Sequence, residues 1–128
     1  MQIKKLTPNL IVHNVEASLK FYREVLGLET AMTVPEQSPY VFAGVSNGTV
    51  EIFFNDQKVV AAEYPKLATS IGASLTLYME VDSLQAVLER VQKAGAKIAM
   101  PVTEQFYGMK EFAFEDVDGY TITIAEKM

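Results

Sequence analysis

The sequence predicts an α+β fold in which tandem β-α-β-β-β modules form a curved mixed sheet around a concave pocket. Three observations carry this expectation: two amphipathic helical stripes, several runs of period-two alternation, and the recurrence of both in one order in each half of the chain. The helical stripes come first because they are the least ambiguous. Leu84, Val87, Leu88 and Val91 fall at i, i+3, i+4 and i+7, which places them on one face of a helix. Asp82 or Ser83 can cap its start and Gly95 can end it in a left-handed turn. The earlier helix carries Val15, Leu19, Tyr22 and Leu26, with Asn14 as N-cap, Glu16 at its positive end and Gly27 as its stop.

The strands alternate. Over residues 7–13, Thr7, Asn9, Ile11 and His13 share one face and Pro8, Leu10 and Val12 the other. Over residues 74–81, Leu75, Leu77, Met79 and Val81 oppose Ser74, Thr76, Tyr78 and Glu80. Near the end, Ile122 and Ile124 oppose Thr121, Thr123 and Ala125. Such alternation gives each strand one face for a helix and a second face for something else. Asn47-Gly48 and Asp118-Gly119 separate β-like runs and signal hairpins. The repeat reaches single residues: Val12, Val15, Ala17 and Leu19 recur at one constant offset as Val81, Leu84, Ala86 and Leu88. Module 1 is expected over about 5–54, a linker over 55–72 and module 2 over about 73–126, all within one domain spanning 1–128. The linker contains Pro65 and shows no clear period. Its length suits a lid over a site.

Composition narrows the function. The chain has 128 residues, 49% of them apolar, enough for a core at this size. Eleven basic residues against 16 acidic ones leave a net charge of −5. That balance and the scatter of lysines and arginines argue against a nucleic-acid partner and make a cationic or neutral ligand easier to attract than an anion. No apolar run is long enough to cross a membrane, and residues 1–5 lack a secretory signal's apolar core, so a cytoplasmic location is expected. With no cysteine, disulfides, thiolate metal sites and cysteine nucleophiles are excluded. The single histidine, His13, and the lack of a nucleophile-elbow pattern leave no basis for a catalytic triad. The glycines form neither a phosphate loop nor a dinucleotide fingerprint.

The stretch from Leu10 to Leu28, with Phe21-Tyr22 followed by Val25-Leu26-Gly27, resembles the opening strand and helix of the vicinal oxygen chelate superfamily of glyoxalases, bleomycin-resistance proteins and extradiol dioxygenases. The stretch from Tyr107 to Tyr120, ending Asp116-Val117-Asp118-Gly119-Tyr120, resembles that family's closing hairpin, with Val117 where a proline is usual. The resemblance implies a metal site with one ligand from each of four strands, normally His or Glu, that polarises vicinal substrate oxygens. By motif position those places hold Thr7, Glu51, Thr76 and Thr123, and only Glu51 is an ordinary ligand. A neutral threonine hydroxyl donates weakly to a divalent ion, so no tight catalytic metal and no cofactor are expected.

The remaining expectation is a small-molecule pocket. Thr7, Asn9, Thr76, Tyr78, Thr121 and Thr123 would form its polar floor, because the helices need the apolar faces of these strands. Phe42, Phe53, Phe106 and Tyr107 could stack on a flat or cationic ligand, though aromatic residues are more often core. Glu51 would bind a cation, serve as a general base, or remain as a solvated relic of an ancestral site. Three functions follow: metal-independent binding of a small organic molecule of aromatic or cationic character, as in the bleomycin-resistance branch; a glyoxalase-type lyase or epimerase with Glu51 as catalytic base; or a dimerising scaffold. The resemblance implies a homodimer in each case.

Overall fold

The computed structural model describes residues 1–72 and 74–128. The elements run β1 (Asn9–Val12), α1 (Val15–Leu26), β2 (Glu29–Val34), β3 (Phe42–Ser46), β4 (Glu51–Asp56), α2 (Gln57–Glu63), a 3-10 turn (Leu67–Thr69), β5 (Thr76–Glu80), α3 (Leu84–Ala94), β6 (Ile98–Glu104), β7 (Met109–Glu115) and β8 (Thr121–Lys127). This is an α+β fold with two four-stranded mixed sheets, ordered β1-β4-β3-β2 and β5-β8-β7-β6. In each, the first strand pairs in parallel with the last, and the other pairs are antiparallel. The order strand, helix, three strands recurs as the sequence repeat requires. The chain divides into two compact units, one of Met1–Arg23 and Gly27–Ser70, the other of Glu24–Leu26 and Ile71–Met128.

In the first unit the helix-facing side of the sheet is Leu10 and Val12 of β1, Ala43 and Val45 of β3, and Ile52 and Phe54 of β4, all buried. Tyr22 of α1 lays its ring against Phe54, with centroids 4.9 Å apart, which docks the helix on the sheet. Asn14 caps α1 by accepting the Ala17 amide at 2.7 Å, and Gly27 closes it at φ 67°, a left-handed conformation that favours glycine. Within this unit the buried stripe of α1 is Val15, Leu19 and Tyr22; its last turn, Glu24–Leu26, groups with the second unit, with Val25 buried and the expected Leu26 only half-buried. Ser18 and Phe21 are buried as well, so α1 is covered over more of its circumference than a single stripe. Glu16 also does more than complement the helix end. Its carboxylate accepts the Ser38 hydroxyl at 2.5 Å and the Tyr40 amide at 3.1 Å, tying the β2–β3 loop to the helix.

In the second unit Ile122 and Ile124 of β8, with Phe112 and Phe114 of β7, form a fully buried apolar face, joined by Leu84 and Val91 of α3. Of the two candidate caps, Ser83 is the one used, accepting the Ala86 amide at 3.2 Å. Gly95 ends the helix at φ 68°. Both anticipated turns lie in hairpins, but the loops Asn47–Val50 and Asp116–Tyr120 are longer than a two-residue turn. Asp116 organises the second by accepting the amides of Asp118 and Tyr120, each at 2.9 Å.

The linker differs most from expectation. β4 runs past 54 to Asp56, whose side chain then caps α2 through the Lys58 amide at 2.8 Å. Val60 is the one residue of α2 that is buried, and a helix with one buried side chain leaves no periodic apolar stripe to read. The expected start of module 2, residue 73, lies outside the described residues.

Candidate functional site

Strand register fixes which side chains share the sheet faces that the helices leave uncovered. In the first unit Asn9 pairs with Phe53 and Ile11 with Asn55 across β1 and β4; Phe42 pairs with Asn55, Gly44 with Phe53 and Ser46 with Glu51 across β3 and β4. Thr7, Asn9, Phe42, Glu51 and Phe53 therefore lie on one face. Thr7 donates its hydroxyl to Oε1 of Glu51 at 3.0 Å. Asn55 donates its side-chain amide to the Asn9 carbonyl oxygen. Phe42 and Phe53 meet edge to face at 5.0 Å, over Gly44, where an added Cβ would lie 3.3 Å from both Met32 and Phe53.

Glu51 has a partner that the sequence reading passed over. Lys5 Nζ lies 2.7 Å from its Oε1. The Lys5 ammonium is the main cause holding the Glu51 carboxyl below its ordinary pKa. Partial burial opposes this, and the Thr7 hydroxyl adds to the lowering. A carboxylate held this way is a poor acceptor for a substrate proton near neutral pH, because a general base works best when its pKa lies close to the working pH.

In the second unit Thr76, Tyr78 and Glu80 of β5 register with Thr121, Thr123 and Ala125 of β8, and Ala113 and Glu111 of β7 with Thr123 and Ala125. Thr121 lies opposite Thr76, but the hydroxyl partner of Thr76 is Thr123, at 2.7 Å. Beside this pair stands a group that the sequence analysis did not single out. Glu111 is 3% exposed. Its Oε2 accepts the Tyr78 hydroxyl at 2.5 Å, the Tyr107 hydroxyl lies 2.9 Å from both carboxylate oxygens, and the Gln105 amide reaches Oε1 at 3.4 Å. The hydrogen bond to Glu111 pushes the Tyr78 phenol up to about 12; burial pushes Tyr107 up first and the same carboxylate second. Period-two alternation could have found Glu111, since it shares a face with Ala113 against Phe112 and Phe114. Phe106 stands edge-on to Tyr107 at 5.1 Å and is almost wholly exposed.

The four positions at which the family resemblance implies metal ligands thus occur as two bonded pairs, Thr7 with Glu51 in the first unit and Thr76 with Thr123 in the second. The donor chemistry does not suit a divalent cation. The one carboxylate already faces an ammonium, and the two threonine hydroxyls of the second pair satisfy each other. Among the described residues no group of three or more His, Asp or Glu side chains is placed to hold a metal ion, and no helix is long and apolar enough to cross a membrane.

Two repeated mixed sheets, each with one face under a helix and one of polar and aromatic side chains, define the class of protein as a tandem β-α-β-β-β protein. The chain belongs to the Glyoxalase/Bleomycin resistance protein/Dioxygenase superfamily, whose family model matches residues 3–124. Its fold is that of TioX from Micromonospora sp. ML1, at TM-score 0.78 and 14% identity, covering 98% of this chain and 99% of that one. It is also that of a glyoxalase/bleomycin resistance protein/dioxygenase family enzyme from Burkholderia phytofirmans, at TM-score 0.77 and 23% identity, covering 95% and 97%. A superfamily member from Sphaerobacter thermophilus has TM-score 0.77 and 17% identity, with 98% of each chain covered. No curated protein matches it in sequence.

Proposed function

We propose that this chain binds a small organic molecule without the help of a metal ion, using the polar and aromatic side chains on the sheet faces opposite its helices. One observation supports this above the others: the family's ligand positions are spent on internal bonds, Glu51 with Lys5 and Thr7, and Thr76 with Thr123. What remains for a ligand is the rings of Phe42 and Phe53 on the first unit's sheet and, on the second unit's, the Thr121 hydroxyl and the rings of Tyr78 and Tyr107. Such groups orient and stack organic molecules but do not polarise a carbonyl as a bound cation would. The lowered pKa of Glu51 weighs against the lyase or epimerase reading, in which Glu51 would abstract a proton.

A homodimer, the family's usual assembly, is part of the proposal. The test is direct. Protein dialysed without chelator is assayed for metals by mass spectrometry and screened by thermal shift against small organic cations, neutral aromatics and anions. A ligand at a hundred times its Kd stabilises by about 2.7 kcal/mol, enough to see. Substoichiometric metal with a stabilising ligand supports the reading. Zinc, nickel, manganese or iron retained at one per chain refutes it.

A further inference from the structure

The face of the second sheet opposite α3 carries three carboxylates whose surroundings differ. Glu115 faces Lys97 Nζ at 3.2 Å, and Glu80 faces Lys127 Nζ at 3.8 Å, so each has a cation of its own. Glu111, the most buried of the three, is held by the hydroxyls of Tyr78 and Tyr107 and the amide of Gln105. These neutral donors solvate its charge without cancelling it. A buried unit charge in a medium of low polarity exerts a field well beyond its hydrogen-bond partners.

The two phenols carry that charge outward. Each O–H points at the carboxylate, while about half of each residue stays exposed, 52% for Tyr78 and 51% for Tyr107. Donation to an anion makes a phenol ring more electron-rich, which strengthens the negative face that attracts cations. Phe106, edge-on to Tyr107 and 98% exposed, adds a third ring on the same turn. We propose that Glu111, Tyr78, Tyr107 and Phe106 form a binding site for an organic ammonium ion. Its alkylated nitrogen would rest against the tyrosine rings, with the buried carboxylate as counter-charge behind them. A weakly hydrated quaternary or alkyl ammonium fits better than a metal ion, because the hydroxyl protons are committed to Glu111 and the groups facing solvent are rings. The inference rests on the small-molecule reading above and names the ligand class and the residues.

Choline and 3,3-dimethylbutan-1-ol have the same shape and differ in charge, which makes them the probes. The full chain is titrated with each by calorimetry, and the tyrosine ring resonances are followed by NMR. Choline should bind at least tenfold more tightly than the alcohol and shift the Tyr78 and Tyr107 signals. Glu111→Gln should weaken choline at least tenfold and leave the alcohol unchanged. Tyr107→Leu, on a half-exposed turn residue, gives a second reading should the buried substitution unfold the chain, and should also weaken choline. Equal affinity for the two probes, choline shifts confined to residues away from Tyr78 and Tyr107, or full affinity in a folded Glu111→Gln or Tyr107→Leu variant would each overturn the site. A different ligand from the thermal-shift screen that stabilises Glu111→Gln as well as the parent would overturn this site and leave the small-molecule reading standing. Stoichiometric metal beside intact choline binding would do the reverse.

Discussion

If Glu111 is an ionised carboxylate holding two phenol protons, replacing it with glutamine should release Tyr78 to titrate as an ordinary tyrosine. The hydroxyl of Tyr78 sits 2.5 Å from Oε2, and losing its proton would set a phenolate against a carboxylate. That contact is the largest cause of a pKa of about 12 against an ordinary 10.0, so Glu111→Gln should lower it by most of the difference. Burial, the second cause, stays in the variant, so recovery will stop somewhat above 10.0. The sign follows from linkage. A folded-state pKa raised above the unfolded one contributes stability that is complete below pH 10, fades as pH rises, and is gone above about 12. The parent should therefore lose stability across that window, and Glu111→Gln should lose less. The assay is alkaline titration by tyrosinate absorbance with Tyr78→Phe as the subtraction control, since the chain has six tyrosines. A parent Tyr78 titrating near 10, or a value unmoved by Glu111→Gln, would show that Glu111 is not the charged acceptor and would remove the basis of the ammonium site.

Lys5→Met should raise the Glu51 pKa toward its ordinary 4.5, because the Lys5 ammonium is the main cause of its lowering; carboxyl NMR during acid titration reads this. The stability from that lowering is present above pH 4.5 and is lost as pH falls, so the variant should show a weaker acid dependence. Gly72→Ala should cost roughly 1–3 kcal/mol in urea denaturation, because Gly72 has φ +84° and a new Cβ would lie 2.6 Å from the Asp118 carbonyl oxygen. Phe54→Ala, which empties a fully buried place against Tyr22, should cost about 3–5 kcal/mol. An unchanged urea midpoint would refute the packing assigned to α1.

The repeat was legible because it is written in core residues. Val12, Val15 and Leu19 recur as Val81, Leu84 and Leu88, since each module must bury the same helix on the same kind of sheet, and apolar periodicity survives wherever one face is dry. The pairs Thr7–Glu51 and Thr76–Thr123 were reachable from motif position for the same reason: first and last strands run side by side in each unit. What escaped notice needs more than a period to read. Lys5 lies ahead of β1, outside any strand or helix, where its side chain meets Glu51. Glu111 depends on Tyr107, placed by the turn between β6 and β7, and on Tyr78 from a strand at the far edge of the sheet. Alternation says which face a side chain takes; it does not say that two hydroxyls from distant segments converge on one carboxylate.

The two modules share a plan and have diverged in charge. In the first, the face opposite the helix places its carboxylate beside a cation, so Glu51 is locally neutralised and a cationic ligand would have to displace Lys5 to reach it. In the second, the corresponding face buries a carboxylate under phenols and leaves its lysines on other acids. Solvation by neutral donors stabilises an ion while keeping its field, whereas an ion pair cancels it. The proposed attraction for positive ligands would therefore concentrate at Glu111 rather than at Glu51, although Glu51 occupies the position at which the family resemblance places a metal ligand. The −5 net charge of the chain adds a general pull on cations, which salt screens over roughly 10 Å. The Glu111 site, held at contact distance, should keep its preference when salt is raised, and that separates a built site from a diffuse acidic surface.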